Sequence, residues 1–271
     1  MKKYIVLSTN WNPDYLYYLP LTVWAWRKFG WDPIVFIEGI SNGANSELIN
    51  RTIDRAILYP EFYGGLKPHN EYRSDTITQI SRLYGACVTD GYLMTGDIDM
   101  LPLSDYWKFD ENEITVWGHD LTGYGHYPIC YIGMPSDKWV EVMNLNTTDY
   151  NSLIKRDLDS LPQAKDPDFY KYWFSDQDLI TQRLKPFKKT LINRGQLPNG
   201  FARGRVDRGS WSLEHEEFID CHMLRDMYKL SDTGRGNFAK TMRLLERVWP
   251  NENFDWFKEY TTEFQKLANN G

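Results

Sequence analysis

Cysteine is scarce in this sequence: the three, Cys87, Cys130 and Cys221, are odd in number and far apart. That argues against a disulfide framework and against a paired CxxC metal site, and a reducing compartment fits best. An excess of basic charge is lacking too. The formal net charge is -6 at pH 7, so no broad cationic surface is available for a phosphate backbone, and nucleic acid is not expected as a partner. Also missing is any apolar stretch long enough to span a membrane. The opening MKKYIVLSTNWNP turns polar after a few apolar residues, too early for a signal-peptide core. A cytoplasmic protein with no membrane span is therefore expected. There is no internal repeat, heptad series or low-complexity tract, and no composition shift marks a second domain.

What remains is ordinary for a folded chain. The 271 residues are 42% hydrophobic and 25% charged, enough for one large α/β domain with or without a helical appendage. Aromatic residues reach 15%, with 11 Trp and 18 Tyr. Such rings fill cores, and they also make flat platforms for the C–H faces of sugars; composition does not choose between the two.

The first hundred residues alternate between strand and helix patterns. Apolar runs at 4–8, 33–37, 56–59 and 92–95 read as strands. Between them, Pro13 and Asp14 start a helix over 15–29 that stops at Gly30, a short helix covers 47–55, and 74–87 forms a helix with Ile77, Ile80, Leu83, Tyr84 and Cys87 on one side. This order predicts a mostly parallel sheet, with ligands bound beyond the carboxyl ends of its strands. Further on, strands are expected at 114–118 and 127–134, and helices at 136–143, 174–184, 237–249 and 253–268. The stretch 151–168 has the composition of a loop.

The most informative segment is YLMTGDIDMLPL, in which an apolar strand delivers Asp97 and Asp99. On an extended strand, residues two apart point the same way, so both carboxylates would meet one ligand. Two like charges held close are costly without a cation, and Mn²⁺ or Mg²⁺ prefers hard oxygen ligands shared with substrate phosphates. The pair therefore predicts a metal.

With that segment placed after a buried strand and a helix, the chain resembles the GT-A glycosyltransferases, whose DxD motif binds a metal and the donor diphosphate. The resemblance covers about the first 180 residues. It implies a single GT-A domain: an α/β fold with a mostly parallel central sheet flanked by helices and a helical C-terminus. Within it, residues 1–110 would form the nucleotide-binding half ending in DxD, 111–230 the donor-sugar and acceptor half, and 231–271 the terminal helices. Ser8, Thr9 and Asn10 look like the element whose loop holds the nucleoside, and Arg82, in SRLYGA, matches a basic residue turned toward the donor. Asp97, Ile98 and Asp99 would form the diphosphate and metal segment. A closer resemblance, through STNWNPDYLYYLP followed by a DxD strand, is to capsid-glycosylating glycosyltransferases of chloroviruses.

The same resemblance assigns downstream residues. Asp176, Gln177 and Asp178 are similar to a DQD that faces the sugar in retaining GT-A enzymes, although an acidic helix N-terminus is also plain capping. His222 would complete the metal site, with His215 as the rival, while His69, His119 and His126 are possible acceptor-site groups. Asp120 is a candidate sugar-binding carboxylate. Arg205 lies in NGFARGRVDRGSW, a segment that would either close over the diphosphate or stay an exposed basic loop. The implied reaction moves a hexosyl or pentosyl group from a nucleotide sugar, a UDP-sugar foremost, to a glycan or glycoprotein hydroxyl with retention. Two alternatives stay open: a non-catalytic carbohydrate-binding or virion structural protein, and a sugar-phosphate nucleotidyltransferase. The latter is disfavoured because LSTNWNPDY has no glycine-rich phosphate loop. A DxD hydrolase would need Thr or Ser motifs and a lysine that are not evident.

Overall fold

Strand β1 (Lys3–Thr9) is buried along nearly its whole length, which its continuous apolar run requires. Ile5 and Leu7 point to one face of the sheet, and Tyr4 and Val6 to the other. The computed structural model describes residues 1–38, 46–56, 63–117, 125–193 and 204–270. After β1, α1 (Pro13–Leu16) is capped by the Asn12 side chain, which accepts from the Asp14 amide at 3.0 Å. A separate helix α2 (Leu19–Lys28) follows, in place of the single helix expected over 15–29. Pro20 explains the break, because its ring nitrogen has no hydrogen to give to the carbonyl one turn back and disfavours helical geometry before it. Gly30 ends α2 at a φ of 70°, and the Trp31 amide closes the turn onto the Trp26 carbonyl at 3.1 Å.

β2 (Asp32–Glu38) and α3 (Ser46–Ala56) match expectation closely. The strand expected at 56–59 is not found at Ala56, which ends α3, and its remainder lies outside the described residues; the third strand is β3 (Tyr63–Leu66). The expected helix over 74–87 is α4 (Ser74–Ser81) followed by a tighter 3₁₀ turn over Arg82–Cys87. The tightening occurs where this segment presses on the sheet: a Cβ on Gly85 would sit 2.6 Å from the Val6 side chain. β4 (Tyr92–Thr95) is as expected.

β5 (Met100–Pro102) leaves the main sheet, and β6 (Thr115–Val116) and β7 (Ile132–Pro135) return to it. Residues 129–131, expected in a strand, form a 3₁₀ turn instead. α5 (Ser136–Met143) is followed by α6 (Tyr150–Asp159), where a loop was expected. The α6 helix buries Leu153, Ile154, Asp157 and Leu158, and the acidic member of that stripe hides the amphipathic pattern. Then come α7 (Phe169–Tyr172), α8 (Ser175–Leu184), β8 (Ile192–Asn193), β9 (Arg205–Val206) and β10 (Asp220–His222), and the chain closes with α9 (Asp232–Val248) and α10 (Asp255–Asn270).

Among the described residues the main sheet has the order β3-β2-β1-β4-β7-β6-β8. β3, β2, β1 and β4 run parallel, β7 is antiparallel to both β4 and β6, and β6 pairs in parallel with β8. A second sheet sets β10 between β5, antiparallel, and β9, parallel. The fold is thus α/β, with a mostly parallel central sheet flanked by helices. One face packs against α4, α5, α6 and α8; the other packs against α2, α3, the small sheet, α9 and α10. Trp26, Trp31, Trp107 and Trp117 are fully buried, and Trp26 lies 4.8 Å from Trp107 between ring centres. For these rings the core is the answer to the aromatic excess, and burial of a Leu- or Phe-sized side chain stabilises by roughly 1.5–3 kcal/mol. Among the described residues no helix is long and apolar enough to cross a membrane.

Candidate functional site

From β1 the chain winds outward through β2 to β3, whereas β4 lies on the opposite side of β1. Connections that diverge in this way leave a crevice beyond the carboxyl ends of the two strands. A cavity of about 660 Å³ opens there, walled by Ser8, Thr9 and Asn10 at the end of β1, by Asp97, Ile98 and Asp99 after β4, and by α4 and the start of α8. The Gly96 amide makes the last ladder contact to Val6 at 2.9 Å, and the chain then turns, the Met100 amide bonding to the Asp97 carbonyl at 3.1 Å. The two aspartates therefore sit in a β-turn between sheets, not on an extended strand as expected, yet both still line the one cavity.

Each carboxylate has an arginine. Arg82 pairs with Asp97 and, at 2.8 Å, with Asp176; it also donates to the carbonyls of Gln79 at 3.1 Å and Gly96 at 3.3 Å. It is only 5% exposed. Arg82 is thus a buried brace that also lines the cavity. Burial pushes the Asp176 carboxyl up, while Arg82 pulls it down. Arg208 holds Oδ2 of Asp99 at 2.6 Å. The same oxygen lies 3.5 Å from Nε2 of His222. β10 delivers that histidine: its pairing with β5 sets His222 opposite Met100, and the Met223 amide bonds to the Asp99 carbonyl at 2.9 Å.

Nδ1 of His222 faces Oδ2 of Asp207 at 3.3 Å. Burial lowers the imidazole pKa below its usual value, with Arg208 adding to the effect and Asp99 opposing it. Burial alone would raise Asp207, but the Gly209 amide and His222 outweigh it and hold that carboxyl below its usual range. A neutral ring whose Nδ1–H is directed to Asp207 presents the Nε2 lone pair to Asp99. Two acceptors, a nitrogen and a carboxylate oxygen, then face each other across 3.5 Å, a pair that could share a divalent transition-metal cation such as Mn²⁺. Asp97, turned to Arg82, stands apart from them, and among the described residues no cluster of three or more His, Cys, Asp or Glu ligands is preformed.

No protein-family model matches the chain, and no curated protein matches it. Its chemistry has to be read from the cavity itself.

Ser8, Thr9 and Asn10 lie at one end, all mainly buried. The Asn10 amide donates to Ser74 at 3.0 Å, and its Oδ1 accepts from the Asn12 amide at 3.1 Å. The Ile98 side chain packs in the core, and its carbonyl accepts from the Thr22 hydroxyl at 2.7 Å. Of the DQD segment, Asp176 and Gln177 line the cavity and Asp178 does not. Residues two apart on a helix are about 200° apart, so Asp178 turns instead to His126 at 2.8 Å and Gln163 at 3.0 Å. Asp176 does serve the helix start, its Oδ1 accepting from the Gln177 amide at 2.8 Å, while its Oδ2 is held by Arg82 at 2.8 Å.

Arg205 is a correction. It leaves the cavity to grip Asp220 through two bonds of 2.9 and 2.6 Å, and Arg208 lines the cavity in its place. Neither His215 nor His69 lines it, whereas His222 does. Asp120 and His119 lie outside the described residues.

No ligand signal in the sequence pointed to several lining residues, Thr78, Gln79 and Arg208 among them, or to Asp207, which backs His222 from outside the lining. The first two occupy the polar side of α4, opposite the apolar stripe that drew attention. Thr78 Oγ1, Gln79 Oε1, Gln177 Oε1 and Arg208 Nη1 are buried without hydrogen-bond partners among the described residues, and all four residues line the cavity. Buried polar atoms are rarely left so, and their convergence marks a polar ligand surface.

Proposed function

We propose that this protein is a divalent-cation-dependent glycosyltransferase of the GT-A type, which moves a hexosyl or pentosyl group from a nucleoside diphosphate sugar, a UDP-sugar foremost, to a glycan hydroxyl. The observation that carries this reading is the opening of Asp97, Asp99 and His222 onto one cavity of about 660 Å³ at the sheet's switch point. That volume lies within the range of ligand sites, roughly 300–1,000 Å³. Asp99 and His222, joined by Asp97, would hold Mn²⁺ or Mg²⁺. When bound, the cation neutralises charge on the departing diphosphate.

The chain's own groups do the rest. Ser8, Thr9 and Asn10 meet the nucleoside end. Gln177, Gln79 and Thr78 offer acceptors to sugar hydroxyls, and Asp176 places negative charge near an anomeric carbon that becomes positive as its bond to phosphate breaks. Phe169 and Trp173, stacked with centres 4.9 Å apart at the cavity wall, give an incoming glycan a flat apolar face. The new bond joins the anomeric carbon to the acceptor oxygen, whose proton is released; retention of configuration is the expected course.

A thermal-shift screen of UDP- and GDP-sugars with and without Mn²⁺ tests the reading, since a ligand bound only by the folded chain raises its melting point. The expected result is a shift that needs both nucleotide sugar and cation, with cation-dependent release of the nucleoside diphosphate. Absence of any such shift across the panel would remove the proposal, and binding without turnover would favour a carbohydrate-binding protein instead.

A further inference from the structure

The two arginines at the aspartate pair are not equivalent. Arg82 is fixed by four acceptors, from Asp97, Asp176, Gln79 and Gly96. Among the described residues Arg208 makes one ion pair, to Asp99, and its Nη1 has no partner; its side chain is 21% exposed. The bond it makes is to Oδ2 of Asp99, the very oxygen that faces the His222 lone pair. A cation seated between Asp99 and His222 would need the place that the guanidinium now holds. Arg208 also lies in a short turn, in which the Ser210 amide bonds to the Asp207 carbonyl at 3.1 Å. Its neighbour Asp207 holds the other side of His222. One turn therefore touches both prospective ligands.

Building on the functional reading above, we propose that Arg208 is a resident stand-in for the divalent cation at Asp99, so that cation and nucleoside diphosphate enter the cavity together. A cation arriving alone has to displace a positive group from the carboxylate and leave it unpaired beside new positive charge. A diphosphate arriving alone meets Asp97 and Asp99. When both arrive, Asp99 passes to the cation and Arg208 passes to the phosphate oxygens, for which its planar fork is suited. Each ligand thus removes the obstacle to the other, and by linkage the effect is reciprocal.

Calorimetric titration with Mn²⁺ alone, UDP alone and each in the presence of the other tests this on the full chain. In the wild type, saturating UDP should tighten Mn²⁺ binding by about 10- to 100-fold, within the usual span of coupled sites. In Arg208→Gln, Mn²⁺ alone should bind about tenfold more tightly than to the wild type, UDP alone more weakly, and the coupling should shrink. Arg208→Lys keeps the charge and should still hold off Mn²⁺ alone. Melting curves confirm that each variant is folded; should Arg208→Gln fail to fold, the wild-type coupling and the Arg208→Lys titration carry the test. Unchanged or weaker binding of Mn²⁺ alone to Arg208→Gln overturns the stand-in role, as does a wild-type Mn²⁺ affinity that UDP leaves unaltered. Failure of Mn²⁺ and UDP to bind any of the three proteins, singly or together, instead removes the functional reading, and this role with it.

Discussion

Asp157 and Asp99 are both buried carboxylates paired with arginine, yet their surroundings differ in kind. Asp157, on α6, accepts from the Tyr84 hydroxyl at 2.7 Å, from Arg156 at 2.9 and 2.8 Å, and from Arg183 at 3.0 Å. Asp220 is closed in the same way by two bonds from Arg205 and one of 2.9 Å from Tyr131. These groups are well supplied with donors, and neither lines the cavity beside Asp99. Asp99 has one arginine and faces a histidine lone pair, and Asp97 keeps 32% of its side chain exposed. Burial and a salt bridge alone say little about function. Incomplete satisfaction beside an open space says more, because a closed network has nothing left to give a ligand.

The contrast can be broken most severely at Asp157. Asp157→Ala leaves Arg156, Arg183 and Tyr84 without their shared acceptor and should cost about 3–5 kcal/mol, read by urea denaturation. Asp99→Asn should cost only about 1 kcal/mol, because Arg208 can turn to solvent, while it abolishes any melting shift that depends on Mn²⁺ and UDP together. Equal destabilisation by the two substitutions would erase the distinction. The smallest effect concerns Cys87, near Arg156. Burial pushes its thiol up to about 11 from 9.0, with Arg156 pulling the other way. The thiol is then almost wholly protonated at pH 8, and alkylation should run about tenfold slower than for an ordinary thiol once the greater nucleophilicity of its thiolate is counted. Rapid labelling of the folded protein would show that the α6 side of the molecule is less closed than its hydrogen bonds indicate.

Much of the sheet was legible because β1, β2 and β4 are buried on both faces, and a continuous apolar run admits few other readings. The helix expected over 15–29 was divided because one proline outweighs an apolar pattern that continues past it. α6 escaped because a buried aspartate in its inner stripe looks polar in one dimension. The cavity was legible in part. Ser8–Asn10 and the two aspartates lie at strand ends, where the topology gathers them. The separation of Arg205 from Arg208 was not, since it depends on β9 pairing with β10, a contact between chain segments that carries no local signature. Asp178 was misplaced because adjacent letters in a helix point to different sides.

The pairing of β5 with β10 has a consequence in time as well as in space. Asp97 and Asp99 leave the ribosome long before the strand Asp220–His222 that completes their surroundings. Until that strand docks, both the histidine and the arginine of Asp99 are missing, and the loop that must close is long. A half-made chain would thus lack a finished place for metal or nucleotide, and capture of either becomes a late event, reserved for molecules in which the last helices have room to settle around it.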